Sequence, residues 1–165
     1  MRYRRAYQDG GCYFFTVVTA RRRAFLTESS SIAALRDAFR RVRSRYPFTI
    51  DAVVILPDHL HCVWTLPADD ADFSLRWRLI KTAFSKRASI ALPCWQPRFW
   101  EHQIRDATDY AHHLDYIHYN PVRHGYVERV ADWPHSSFNR CVQAGLYPPD
   151  WGIVAPALPV DIGRE

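Results

Sequence analysis

The sequence is short of lysine, of paired cysteines and of long apolar runs, and each shortage excludes something. No stretch approaches the ~20 consecutive apolar residues that a membrane-spanning helix requires. The basic start, Met1 to Tyr7, has no apolar segment behind it, so neither a secretory signal nor a membrane partner is expected. The four cysteines, Cys12, Cys62, Cys94 and Cys141, fall in no Cys-x-x-Cys spacing, which argues against a disulfide framework and a zinc ribbon. Reduced, mostly buried thiols and a cytoplasmic protein are the expectation. Internal repeats and low-complexity segments are also missing. What remains is a 165-residue chain, 48% hydrophobic and 24% charged, enough for one domain around a single core.

Lysine is the most telling shortage. Of 22 basic residues only Lys81 and Lys86 are Lys; the other 20 are Arg. Residues 1–45 hold eleven Arg against Asp9, Glu28 and Asp37, a local net of +8, so the remaining 120 residues carry −3 of the overall +5. A GC-rich genome accounts for a high Arg:Lys ratio but does not choose where along the chain the charge sits. Because the planar guanidinium fork suits phosphate, the N-terminal third reads as a nucleic-acid face.

The periodicity alternates between strand and helix. Cys12 to Thr19 is aromatic and β-branched, a strand; Arg21-Arg22-Arg23 follows in a loop. Ser29 to Ser31 offer N-caps to a helix with Ile32, Leu35, Phe39, Val42 and Tyr46 inward and Arg36, Arg40, Arg41, Arg43 and Arg45 outward. Phe48 to Leu56 and His59 to Leu66 read as an antiparallel hairpin turned by Pro57-Asp58. Ser74 to Ala91 is a second helix, with Leu75, Leu79, Ile80, Ala83 and Phe84 inward and Arg76, Lys81, Lys86 and Arg87 outward. Trp95 to Ile104 is a Pro-interrupted edge strand. Asp106 caps a third helix that Pro121 is expected to end at Asn120. From Val127 onward the chain reads as loop. This order predicts an α+β domain with a ferredoxin-like antiparallel sheet and helices packed on it.

Two constellations carry chemistry. In Leu56-Pro57-Asp58-His59-Leu60-His61-Cys62-Val63-Trp64, residues two apart share a strand face, so His59 and His61 project together while Leu60, Cys62 and Trp64 fill the other side. On its own such a pair is more often solvated or hydrogen-bonded than metal-binding. A zinc hydrolase using Cys62 fails because Cys62 points the opposite way. In Tyr116-Ile117-His118-Tyr119-Asn120, Tyr116 and Asn120 are one helical turn apart, about 100° from the Leu114/Ile117 stripe, with His112 and His113 one turn earlier. Without the His pair, Tyr116 would read as an interfacial tyrosine.

Taken together these segments resemble the REP-associated tyrosine transposases, a branch of the single-tyrosine HUH transposases that act on single-stranded DNA. The resemblance runs through Tyr13-Phe14-Phe15-Thr16-Val17-Val18-Thr19, Leu56-Pro57-Asp58-His59-Leu60-His61, Trp95-Gln96 with Arg98-Phe99-Trp100, Tyr116 to Gly125, and Asp132-Trp133-Pro134-His135-Ser136-Ser137-Phe138. It implies an HUH-type catalytic domain over residues 1–140, with a basic N-terminal arm, and a Pro-containing tail over 141–165. It implies further that Tyr116 attacks the scissile phosphate, forming a 5′-phosphotyrosine link. His59 and His61, with Asn120 where many relatives carry Gln, would hold one divalent cation, Mg²⁺ or Mn²⁺. The implied substrate is a repeated extragenic palindrome folded as a hairpin beside a short single strand.

The chemistry fits those residue types. A phenol with a pKa of about 10 is almost wholly protonated at neutral pH, and a phosphodiester repels an anionic attacker, so a cation on the phosphate is needed. Arg4, Arg5, Arg21, Arg22, Arg23, Arg40 and Lys81 are the expected DNA contacts, with Tyr3, Tyr7 and Trp77 as stacking surfaces. His112, His113 and His118 are candidates for proton transfer. A monomer is favoured over a homodimer. The rival reading is a domesticated protein that binds hairpins without cutting; retention of His59, His61, Tyr116 and Asn120 together argues for the enzyme.

Overall fold

Residues 9–163 are described by the computed structural model, and their sheet is built around two strands buried on both faces. These are β1 (Cys12–Val18) and β3 (His59–Thr65). With β2 (Thr49–Ile55) and β4 (Trp100–Gln103) they form a four-stranded antiparallel sheet in the order β2-β3-β1-β4. Interleaving α1 (Ser29–Arg45) and α2 (Phe73–Arg87) completes the expected ferredoxin-like pattern. Alternation along the strands sorts the side chains. Tyr13, Phe15, Val17, Leu60, Cys62 and Trp64 join the core under α1 and α2, where Trp64 and Trp77 stack at 4.3 Å. Phe14, Val63, Ala52 and Val54 face α3 (Ala107–Arg123) on the other side, together with His59 and His61.

The open edge of β2 is closed by the chain's later part. Ile55 N–H donates to His135 O at 2.8 Å, Ser137 N–H to Val53 O at 2.9 Å, and Trp133 Nε1 to Ile55 O at 3.0 Å. A ladder edge is thereby kept from pairing with another chain. A short α4 (Phe138–Gln143) and a turn at Val130–Asp132 stand where loop was expected; α4 buries Phe138 and Cys141 against His118 and Tyr147.

Several boundaries move for identifiable reasons. Helix α3 passes through Pro121 and ends at Arg123. Pro121 lies in the last turn, and the stop is Gly125 at φ +75°: Tyr126 N–H donates to Pro121 O and Gly125 N–H to Val122 O, a Schellman closure. Glu28, not a serine, occupies the α1 N-cap position. The inward face of α2 is Phe73, Arg76, Trp77, Ile80 and Phe84, which corrects two expectations. Trp77 is a core residue and offers no surface for stacking bases. Arg76, 1% exposed, forks onto Asp70 (2.7 and 3.0 Å) and also donates to the carbonyls of Tyr46, Pro47 and Asp72, so it ties the α1–β2 and β3–α2 connections together. The edge strand shrinks to four residues, with Trp95 making one isolated bridge to Thr19. The four cysteines are free thiols; Cys62, Cys94 and Cys141 are buried. No helix among the described residues is long and apolar enough to cross a membrane.

Candidate active site

The register of β1 against β3 sets Thr16 opposite His61 and Val18 opposite His59, and α3 lies across this face. The His59 and His61 rings are 4.9 Å apart, and the Tyr116 ring lies 5.2 Å from His61, edge-on. Phe14 supports both, 5.5 Å from His61 and 5.9 Å from Tyr116. Asn120, fully buried, follows one turn after Tyr116. The structure therefore brings His59, His61 and Tyr116 together, with Asn120 one helical turn from Tyr116 on α3. Tyr116 is 2% exposed and packs with Leu114 and Ile117, so the apolar stripe of α3 is wider than the sequence suggests.

Each imidazole is oriented through Nδ1. His59 Nδ1 bonds Asp58 Oδ1 at 2.6 Å, and His61 Nδ1 bonds Thr16 Oγ1 at 2.9 Å. Such partners fix the ring and leave Nε2 as the donor atom for an ion. His59 Nε2 and Asn120 Oδ1 are buried atoms that make no hydrogen bond, although both residues have other contacts. Two imidazole nitrogens and one amide oxygen thus fit a divalent cation that keeps further positions for oxygen ligands. Asp58 Oδ2 in turn accepts from Arg22 at 3.1 Å. Burial alone would raise the Asp58 carboxyl, but the His59 hydrogen bond and the Arg22 guanidinium hold it below the usual range.

Three groups escape a reading of the sequence. The pattern marks Asp58 only as a turn residue and Thr16 only as strand. Arg123, placed by sequence in a loop beyond Pro121, is the last residue of α3, and its Nη1 donates to the Tyr116 hydroxyl at 3.0 Å with the guanidinium 5.3 Å from the ring. The signal is the seven-residue spacing, two helical turns, hidden by the assumption that Pro121 stops the helix. His118, expected near the nucleophile, faces away: it bonds Ser137 Oγ at 2.8 Å among Phe138 and Tyr147, and burial followed by Arg140 pushes its pKa down to about 4. Tyr119 packs toward Trp151. The tail reaches the site: Leu158 and Ile162 pack against the cluster that contains Tyr116, and a Cβ on Gly163 would overlap the Tyr116 ring and hydroxyl.

The expected DNA contacts divide. Arg4 and Arg5, like Tyr3 and Tyr7, lie outside the described residues. Arg21 and Arg22 are exposed, with left-handed backbone at φ 57° and 51°, and Arg22 touches the site through Asp58. Arg23 donates to the carbonyls of Ala91 and Pro93, and Lys81 to Gln96 O at 2.9 Å, so both grip the 91–96 loop. Arg40 pairs with Asp37 at 2.6 Å on the α1 surface.

No family model matches the chain. It is 52% identical to the REP-associated tyrosine transposase of Escherichia coli (strain K12), over 90% of this chain and 89% of that protein. It is 45% identical to a putative REP-associated tyrosine transposase of Haemophilus influenzae (strain ATCC 51907 / DSM 11121 / KW20 / Rd), over 91% and 92%. A solved structure of a REP-associated tyrosine transposase bound to a REP hairpin superposes with a TM-score of 0.91 at 48% identity, covering 100% of this chain and 98% of that one.

Proposed function

The chain belongs to the REP-associated tyrosine transposases, and from that premise we propose that it cuts and rejoins single-stranded DNA beside a REP hairpin through a covalent link to Tyr116. The observation that carries the reading is the convergence of two Nδ1-anchored imidazoles on a tyrosine whose hydroxyl is held by Arg123. The Tyr116 oxygen forms a bond to the scissile phosphorus, the bond to the 3′ oxygen breaks, and the leaving 3′ oxygen takes up a proton. The phenolic proton passes to solvent. Arg123 places positive charge where the phenol oxygen becomes anionic. Asp58 and Thr16 hold the imidazoles, and Phe14 keeps the Tyr116 ring edge-on to His61. His59, His61 and Asn120 would hold a divalent cation, Mg²⁺ or Mn²⁺, which would supply Lewis-acid charge to the phosphate. Reversal with another strand's 3′-hydroxyl transfers the DNA.

The exposed arginines of residues 21–45 are proposed to carry the hairpin phosphates, and the four free thiols suit action in the cytoplasm. For a strand to reach Tyr116, residues 158–163 must shift aside. That covering favours the second reading, a hairpin binder without cleavage. Incubation of the protein with a 3′-labelled hairpin oligonucleotide and Mn²⁺ separates them. A label that stays with the denatured protein, and is prevented by a chelator, supports the enzyme. Tight binding with intact DNA supports the binder.

A further inference from the structure

We infer that His102, Asp109 and His113 form a second divalent-metal site, of the three-ligand kind that suits Zn²⁺, joining β4 to the start of α3. The fold brings these residues together from two directions. The register of β4 sets His102 opposite Phe14, on the face that α3 covers. Asp109 and His113 are one turn apart on α3, just inside the Asp106 cap, which accepts from Asp109 N–H at 2.8 Å. The His102 and His113 rings stack with centroids 4.6 Å apart, and a nitrogen from each and a carboxylate oxygen lie within 4.8 Å of one another. Ligands around one four-coordinate zinc at about 2.0–2.2 Å stand about 3.3–3.6 Å apart, so side-chain shifts of about 1 Å close the set.

The surroundings suit an ion. His113 is 5% exposed and Asp109 9%, while His102 opens onto a 460 Å³ cleft lined also by His112, Pro159 and Asp161, which admits the ion and a fourth ligand. His113 Nδ1 contacts Asp109 O at 2.8 Å, which orients the ring. Asp109 Oδ2 meets His102 Nε2 at 2.8 Å and accepts from Arg105 N–H at 2.9 Å, so the carboxylate is held in place. The site is separate from the His59 and His61 pair, because the Phe14 ring stands between, 4.8 Å from His113 and 5.5 Å from His61. A bound ion would brace α3 over the two turns that precede Tyr116. The competing account is that the three side chains form a hydrogen-bonded triad only.

The test uses the full chain carrying His59→Ala and His61→Ala, stripped with chelator and titrated calorimetrically with ZnCl₂; it is independent of whether the His pair binds metal. One equivalent is expected, weakened at least 100-fold by added His102→Ala or Asp109→Asn, the latter keeping the side-chain shape. Co²⁺ in the same double variant is expected to give the intense visible absorption of a four-coordinate site. Absence of binding, binding that His102→Ala leaves unchanged, or a Co²⁺ spectrum like the hydrated ion overturns the site.

Discussion

Asp58 touches no substrate in this account, yet it orients His59 and links that ring to Arg22. Asp58→Asn keeps the shape and removes the anion that a ligating imidazole leans on. Removing a carboxylate that supports a ligating histidine costs about 10–100-fold in metal affinity. The Mn²⁺ concentration giving half-maximal cleavage is therefore expected to rise by that factor, with saturating activity less affected; an unchanged Mn²⁺ dependence would remove Asp58 from the site. His118 makes the other residue-scale prediction. Its pKa is about 4 in the fold, below the ordinary histidine value, so the unfolded chain takes up the proton first. Its contribution is complete above about pH 6.5 and lost as pH falls toward 4, on the order of 3 kcal/mol in all. Urea unfolding from pH 7 to 4.5 should show this fall in the parent and a flatter profile in His118→Asn.

Among the elements, α3 decides the site, and its end is where sequence and structure part. The strand alternation that sends His59 and His61 to one face and Leu60, Cys62 and Trp64 to the other was readable, because period two leaves no choice of side. The four-residue step from Tyr116 to Asn120 was readable for the same kind of reason. Pro121 was misleading: a proline in the last turn gives up a single backbone bond, and the Schellman closure at Gly125 overrides its stop signal. Arg123 stayed hidden as a consequence. The burial of Arg76 and Trp77 was illegible because it depends on which loop carbonyls and which tryptophan meet α2, a matter of tertiary packing. Gly125→Ala tests the closure cleanly, since nothing lies within 4 Å of the added Cβ and the cost is conformational alone. A loss of about 1 kcal/mol in urea unfolding is expected. No loss would mean that the helix end does not need the left-handed residue.

Over the whole molecule, the charge gradient of the sequence becomes a division between surface and site. The exposed arginines of α1 and of the 21–22 turn lie in the basic third, whereas His59, His61, Tyr116 and Asn120 are buried between the sheet and α3 and add no formal charge at neutral pH. The logarithm of hairpin affinity should accordingly fall linearly with the logarithm of salt concentration. Replacing exposed Arg36 and Arg40 by Ala should lower the slope by roughly 0.7–0.9 for each phosphate that is no longer neutralised, with folding stability little changed. A slope equal to the parent's would move the DNA off the α1 face.

Whether Tyr116 is the nucleophile is decided by formation of a denaturation-resistant protein–DNA adduct on a labelled single-stranded REP hairpin with Mn²⁺, compared between Tyr116→Phe and Tyr119→Phe. Tyr116 carries the hydroxyl held beside the His pair, and Tyr119 packs toward Trp151 on another side of the helix. The adduct is expected to vanish in Tyr116→Phe and persist in Tyr119→Phe. An adduct that survives Tyr116→Phe, or that Tyr119→Phe abolishes, would contradict the account.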